Sequence, residues 1–397
     1  MEGFDIGLDL IIVLVVAVAG GMLARWLRLP IFLGYLGAGI AVGPNGFGLI
    51  SGQDTINAVA NIGVVLLLFT VGLEFSLREL KNVGKIAVFG GLCQMFVTTV
   101  VIIGITRYFG FPLLTAIFFG IIIAESSTAV ILRLIMERGE LDARHGRVAV
   151  SMSLVQDMSI VPVIAVLPAV GASNFGVEMI LPVLTALGKA AGFLAVMLAL
   201  GYWVLPRVMV RVTRLQSKEL FLLSVITLCL ATAIGAYNLG LSAAFGAFVA
   251  GLLISQSPFA RQAFADIVPL RDTFSALFFA SLGMFFSIGF VAANWETLLQ
   301  LVPALIAAKI LFAMVVIWLF RNSFKTTLLA GLGLLPVGEF SFIMALIGFE
   351  AGIFNEYYHS LIIAVALITM LVSPLFLGAG NWLYRWLSQR KIMTSLM

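Results

Sequence analysis

Four ionisable side chains stand out inside long apolar runs of this 397-residue chain: Glu125, Asp157, Lys309 and Glu339. A charge at the centre of a bilayer costs at least about 2.5–3.5 kcal/mol, so each needs a partner or a task. Glu125 opens four consecutive polar residues, Glu125-Ser126-Ser127-Thr128, in a run otherwise rich in Ile and Phe. Asp157 follows Gln156, with Ser153 one helical turn earlier on the same face. One carboxylate among hydroxyl and amide oxygens suits a hard cation, and the same carboxylate can take a proton instead. Glu339 follows Pro336 and Gly338, and Lys309 is an ammonium in the middle of its span. Structural roles stay open for all four. Glu339 would cap a helix end, Glu125 would partner Lys309, Lys309 would neutralise acids or helix-end dipoles, and Asp157 would be a buried hydrogen-bonded carboxyl.

The elements that must position these residues are membrane helices. The chain is 62% hydrophobic and only 11% charged, against roughly 25% charged in soluble domains. Breaks in hydropathy define about thirteen spans. They cover about 8–24, 31–42, 56–73, 86–105, 113–136, 148–170, 180–205, 220–237, 241–254, 273–291, 298–320, 326–349 and 359–378. The second and ninth are short enough to be half-buried or bent. Twenty of the 23 Lys and Arg fall in alternate loops, from Arg25 and Arg28 to Arg385, Arg390 and Lys391. The positive-inside rule makes those loops cytoplasmic, with the N-terminus outside and the C-terminus inside a cell (inner) membrane. Trp26, Tyr108, Trp203, Trp295 and Trp382 fall at span ends, as an aromatic belt requires.

Other classes fit poorly. Glu2, Asp5 and Asp9 precede the first apolar run, where a cleaved signal would be basic. Cys93 and Cys229 both lie in apolar segments, which argues against a disulfide framework or a Cys metal site. The net charge of +4 follows the loop alternation and gives no basis for nucleic-acid binding. His145 and His359 have no nucleophile–base or metal-ligand spacing around them, so neither an enzyme nor a cofactor is expected. Glu74, at the cytoplasmic end of span three with Arg78 at i+4, reads at least as well as an interfacial charge as it does as a functional one.

The two polar interruptions are placed in register. In span twelve, Gly331, Gly333, Pro336 and Gly338 weaken the helix before Glu339. Spans five and twelve both read as helices broken in mid-membrane, which is tolerated only in a protein interior or a wet cavity. With span seven as a linker, each is fifth in its half. The offset of seven spans then inverts one half relative to the other. Paired interruptions of this kind point to a transporter's midplane site.

At these residues the chain resembles the monovalent cation:proton antiporter superfamily, and within it the Kef-type potassium/proton branch. The resemblance rests on Gly34 to Gly39 (Gly-Tyr-Leu-Gly-Ala-Gly) with Gly43-Pro44, and on Gly63 to Glu74. It continues through Ser126 to Val130, Gln156-Asp157, Phe278 to Met284, Lys309, and Gly338-Glu339-Phe340. It implies one transmembrane transporter domain over 1–397 with a sodium/proton antiporter-like fold whose two broken helices cross. Scaffold helices would cover about 8–85 and 220–291, a linker helix 180–205, and a moving core 86–170 and 298–378. It also implies a homodimer embedded in membrane lipid. Gln156-Asp157 matches the potassium-type relatives, whereas an Asp-Asp or Asn-Asp pair reads out sodium. Glu125 departs from the branch, where a small or neutral residue is expected. Kef-type proteins commonly continue into a cytoplasmic nucleotide-binding regulatory domain, and that segment is absent from this chain.

The expected function is secondary active exchange of potassium for protons by alternating access. Asp157 would be the shared cation/proton site, assisted by Gln156, Ser126, Ser127 and Thr128. Lys309, Glu125 and Glu339 would compensate charge. A sodium/proton antiporter is the alternative within the class. A cation channel is the alternative outside it, although no repeated filter-like carbonyl sequence is present.

Overall fold

A computed structural model of the chain describes residues 2–27, 29–50, 53–74, 86–136, 138–140, 142–171 and 180–389. Arg28, Arg78, Arg390, Lys391 and the side chains of Glu74 and Arg385, all used above to orient or explain the spans, lie outside the described residues. Among those described, every regular element is helical. In chain order the helices are α1 Glu2–Trp26, α2 Ile31–Val42, α3 Gln53–Glu74, α4 Gly91–Tyr108, α5 Leu113–Ala124 and α6 Thr128–Met136. There follow α7 Arg144–Gly171, α8 Ile180–Trp203, α9 Leu205–Arg214, α10 Lys218–Asn238, α11 Ala243–Ser255 and α12 Ala260–Phe285. The last are α13 Ile288–Ala293, α14 Trp295–Leu319, α15 Phe324–Gly333, α16 Phe340–Glu350 and α17 Glu356–Gln389. One π-helical turn, Ile86–Gly90, leads into α4.

Among the described residues, nine helical stretches are long and apolar enough to cross a membrane, and four shorter apolar helices accompany them. The protein is an all-α, multi-pass membrane protein. Large apolar side chains such as Val15, Met22, Phe96, Leu181 and Leu375 are well exposed, an arrangement that only a lipid environment tolerates on this scale.

Helix boundaries follow local chemistry. Pro30 and Pro112 precede α2 and α5 with extended ψ angles of 137° and 147°. Ser217 and Ser242 cap α10 and α11 by accepting from the amides of Leu220 and Phe245 at 3.2 and 3.1 Å. Gly110 turns the chain after α4 at a φ of 84°, where a side chain would be strained.

Two expectations about boundaries need correction. Residues 261–272, read as a polar loop before span ten, form the first turns of α12, which starts at Ala260. The basic stretch after span seven likewise coils into α9. Hydropathy reports where the bilayer ends, whereas a helix continues into water as long as its backbone bonds are satisfied.

The chain divides into two compact units. One comprises Met1–Leu80, Val161–Ser287 and Glu350–Gly352. In it α3 packs on α11 and α12, and α2 packs on α1 and α12. Gly72 and Gly251 let α3 and α11 meet backbone to backbone, since a methyl group on either would run into main-chain atoms of the other helix. Val13, Val42, Ile50, Leu277, Ala280 and Met284 form one apolar core there. The other unit comprises Lys81–Ile160, Ile288–Phe349 and Ile353–Met397. In it α4 packs on α5 and α14, and α15 on α14 and α17, around a core that includes Ile131, Met152, Ala313, Ile317 and Leu334. All four mid-span charges belong to this second unit.

Candidate ion site at the crossing of two broken helices

The helix broken at its centre is literal in both expected places. α5 stops at Ala124, residues 125–127 are extended, and α6 starts at Thr128. α15 stops at Gly333, and α16 starts at Phe340 after residues 334–339. The two breaks bind each other. The amide of Ser127 donates to the carbonyl of Pro336 at 3.0 Å, and Ser126 Oγ donates to the carbonyl of Leu334 at 2.8 Å. Ser127 Oγ donates to Glu339 Oε2 at 2.7 Å while accepting from the amide of Val130 at 3.2 Å. One hydroxyl therefore caps α6 and ties Glu339, at the start of α16, to the other break. Thr369 Oγ1 on α17 accepts from the amide of Val337 at 3.1 Å.

Lys309 lies at the same place, reaching from the middle of α14 with 1% exposure. Its ammonium donates to the carbonyls of Ile123 at 2.9 Å, Glu125, and Pro336 at 3.4 Å. Among the described residues these are main-chain partners, and no carboxylate is hydrogen-bonded to it. Of the roles left open by sequence, the neutraliser of helix ends is the one with visible contacts. A broken helix leaves C-terminal carbonyls unpaired at its negative end, and this ammonium meets them.

Asp157 stands on α7, opposite the first residue of α6. Thr128 Oγ1 donates to Asp157 Oδ2 at 2.7 Å and lies 2.9 Å from Ser153 Oγ. The carboxylate, two hydroxyls and the amino-terminal end of α6 thus converge. Gln156 is fully buried and turns to α4, where its Nε2 donates to Gln94 Oε1. The structure accordingly brings together Ser126, Ser127, Thr128, Asp157, Lys309, Glu125 and Glu339, while the NH2 of Gln156 bonds on the α4 side and its oxygen has no hydrogen-bond partner among the described residues. Gln94 and Thr369 were missed. Gln94 was detectable as an uncharged polar residue in the middle of span four.

Glu125 is fully buried; its carboxylate oxygens accept from no N–H or hydroxyl among the described residues, and its carboxyl lies within hydrogen-bonding reach of Asp157. Asp157 and Glu339 lie within coulombic range and repel it when ionised, so Lys309 is the neighbouring charge that compensates Glu125. Its carboxylate occupies the space that a side chain at Gly338 would need. Gly338→Ala is expected to destabilise the protein by about 1–3 kcal/mol, the usual cost of overpacking. In a double-mutant cycle with Glu125→Ala the two losses should fall short of additivity by at least about 0.5 kcal/mol. Thermal unfolding in detergent of the two single variants and the double variant checks this.

Around Asp157 the site offers the Thr128 hydroxyl in direct contact, with the carboxyl of Glu125 close by. Among the described residues no group of three or more His, Cys, Asp or Glu is arranged to hold a metal ion.

Known proteins resemble this chain over most of its length. The sodium/hydrogen exchanger transmembrane family matches residues 11–379. YbaL of Escherichia coli strain K12 is 34% identical over 91% of this chain and 66% of its own length. K(+) efflux antiporter 4 of Arabidopsis thaliana is 32% identical over 92% of this chain and 62% of its own length. The chain therefore spans a little under two thirds of the length of these relatives. Among solved structures, the sodium proton antiporter MjNhaP1 of Methanocaldococcus jannaschii superposes with a TM-score of 0.68. That superposition covers 96% of this chain and 97% of the other at 18% identity, so it speaks for the fold alone.

Proposed function

Because the chain belongs to the sodium/hydrogen exchanger family, we propose that it is a cation/proton antiporter that exchanges potassium for protons, with Asp157 holding one or the other but never both. The observation that carries this is the hydrogen bond from Thr128, at the start of α6, to Asp157, beside the crossing of the two broken helices. Potassium is favoured over sodium because the relatives at about a third identity include proteins named as K(+) efflux antiporters. The Gln156-Asp157 pair supports the same choice.

In this reading the ionised carboxylate binds a partly dehydrated cation, and the hydroxyls of Ser126, Ser127 and Thr128 and nearby carbonyls replace part of its water. Neutralised by either ligand, the site crosses the apolar barrier at tolerable cost, whereas the empty charged site does not. Coupling follows from that asymmetry. Alternating access would be supplied by a core of about 86–170 and 298–378 moving against a scaffold of about 8–85 and 220–291, joined by 180–205. A thirteen-span topology with the N-terminus outside, inverted halves and a homodimer complete the proposal.

Purified protein in liposomes with a trapped pH dye tests it. Potassium added outside should drive saturable proton movement that is indifferent to an imposed voltage, as one-for-one exchange requires. A response to sodium alone would replace potassium by sodium, a voltage-driven response would show that a second charge moves, and cation flux without protons would mean a channel.

A further inference from the structure

A polar relay runs from Gln156, the residue before Asp157, into the packing of α4. Gln94 and Thr98 lie one turn apart on α4, so they share a face. Gln94 Nε2 donates to Thr98 Oγ1 at 3.0 Å, and Gln94 Oε1 accepts from Gln156 Nε2. All three side chains are 0% exposed. At the end of the relay Gln156 Oε1 is also buried, and it has no hydrogen-bond partner among the described residues.

A carboxamide carries a donor at one end and an acceptor at the other, and rotation about its last bond exchanges them. In a buried relay that choice is passed along. Thr98 takes the NH2 of Gln94, which turns the Gln94 oxygen to Gln156. That oxygen takes the NH2 of Gln156, which leaves the Gln156 oxygen over. A buried acceptor without a donor is costly, and a ligand that relieves it must be positive or donate a hydrogen bond. Gln156 is the residue next to Asp157.

We propose that Gln94 is a positioning residue for ion selectivity: by accepting from Gln156 Nε2 it holds the Gln156 amide with its oxygen, rather than its NH2, free to ligate a monovalent cation at Asp157. This rests on the reading of Asp157 as the shared site. A bare proton needs no oxygen shell, so the relay acts on the cation and leaves proton loading alone. Without Gln94 the amide is free to turn. An NH2 facing the site repels a cation and leaves it short of one ligand.

The test is the potassium dependence of proton exchange by the full chain in liposomes. Gln94→Leu should raise the KM for potassium about tenfold, the worth of one well-placed hydrogen-bonding group, with the maximal rate nearly kept. Thr98→Val, which keeps the shape of the side chain but not its acceptor, should raise the KM in the same direction and by less, about threefold. Thr98→Ser should restore it. A role limited to packing would lower the maximal rate or the unfolding midpoint and leave KM where it is. An unchanged KM in Gln94→Leu overturns the proposal, as does an equal rise in Thr98→Ser and Thr98→Val. Should Gln94→Leu fail to fold, the near-isosteric Thr98→Val decides alone, and an unchanged KM there overturns it. Asp157→Asn assayed in parallel separates the two readings. Exchange retained in that variant sinks the Asp157 site, whereas exchange lost there beside a normal KM in Gln94→Leu sinks only the relay.

Discussion

Asp157→Asn is expected to reduce potassium/proton exchange in liposomes to background while the protein stays folded. The substitution keeps the shape of the side chain and removes only the charge and the proton site. The amide oxygen of the replacement side chain still accepts from Thr128, so the contacts that hold α6 against α7 survive. A unit charge attracts a cation at 4 Å by about 4 kcal/mol at an effective dielectric of 20. That corresponds to roughly a thousandfold in affinity. The proton half-cycle disappears as well, because an amide does not titrate in this range. Size-exclusion behaviour and the unfolding midpoint establish that the variant is folded, and the dye assay reads exchange. Substantial exchange by a folded Asp157→Asn variant would mean that another group carries the ion.

The second large effect concerns stability. Lys309→Met should destabilise the protein by about 3–5 kcal/mol, the range seen when one member of a buried charged network is removed. The ammonium donates to carbonyls on both breaks, Ile123 and Glu125 on one and Pro336 on the other. Met fills the volume but returns none of those bonds, and it leaves Glu125 without its neighbouring positive charge. Lys189→Met is the control. Lys189 is exposed on α8, and the change there should stay within about 0.5 kcal/mol. Unfolding midpoints of the two variants in the same detergent give the comparison. Equal midpoints, with exchange lost only in Lys309→Met, would make Lys309 a transport residue and not the fastener of the broken helices.

The features legible in sequence are those that the bilayer enforces. Apolar runs, the cost of a mid-span charge, and the weakness of Gly and Pro in a helix identified the membrane fold, both broken helices and the four charges around them. Ser153 could be placed beside Asp157 by helical periodicity alone. Thr128 as the hydroxyl that joins them could not, because that contact forms across helices. The partner of Lys309 was illegible for a similar reason. Its partners are main-chain carbonyls, and every residue type has one. Gln94 was passed over because a neutral amide in an apolar span costs less than a charge and therefore stands out less, although its hydrogen bonding to Gln156 and Thr98 is as specific. Polar turns that continue a helix beyond the bilayer, as at the start of α12, look like loops to any measure built on hydropathy.

That one carboxylate serves both ions is tested most directly without transport, by counting protons released when potassium binds. Purified protein in lightly buffered detergent solution is titrated with potassium chloride while pH is followed, with choline chloride as the ionic-strength control. Displacement at Asp157 predicts saturable release approaching about one proton per chain at a pH where the unloaded site is protonated, and none from Asp157→Asn. Potassium binding without proton release, or undiminished release from the Asp157→Asn variant, would contradict it.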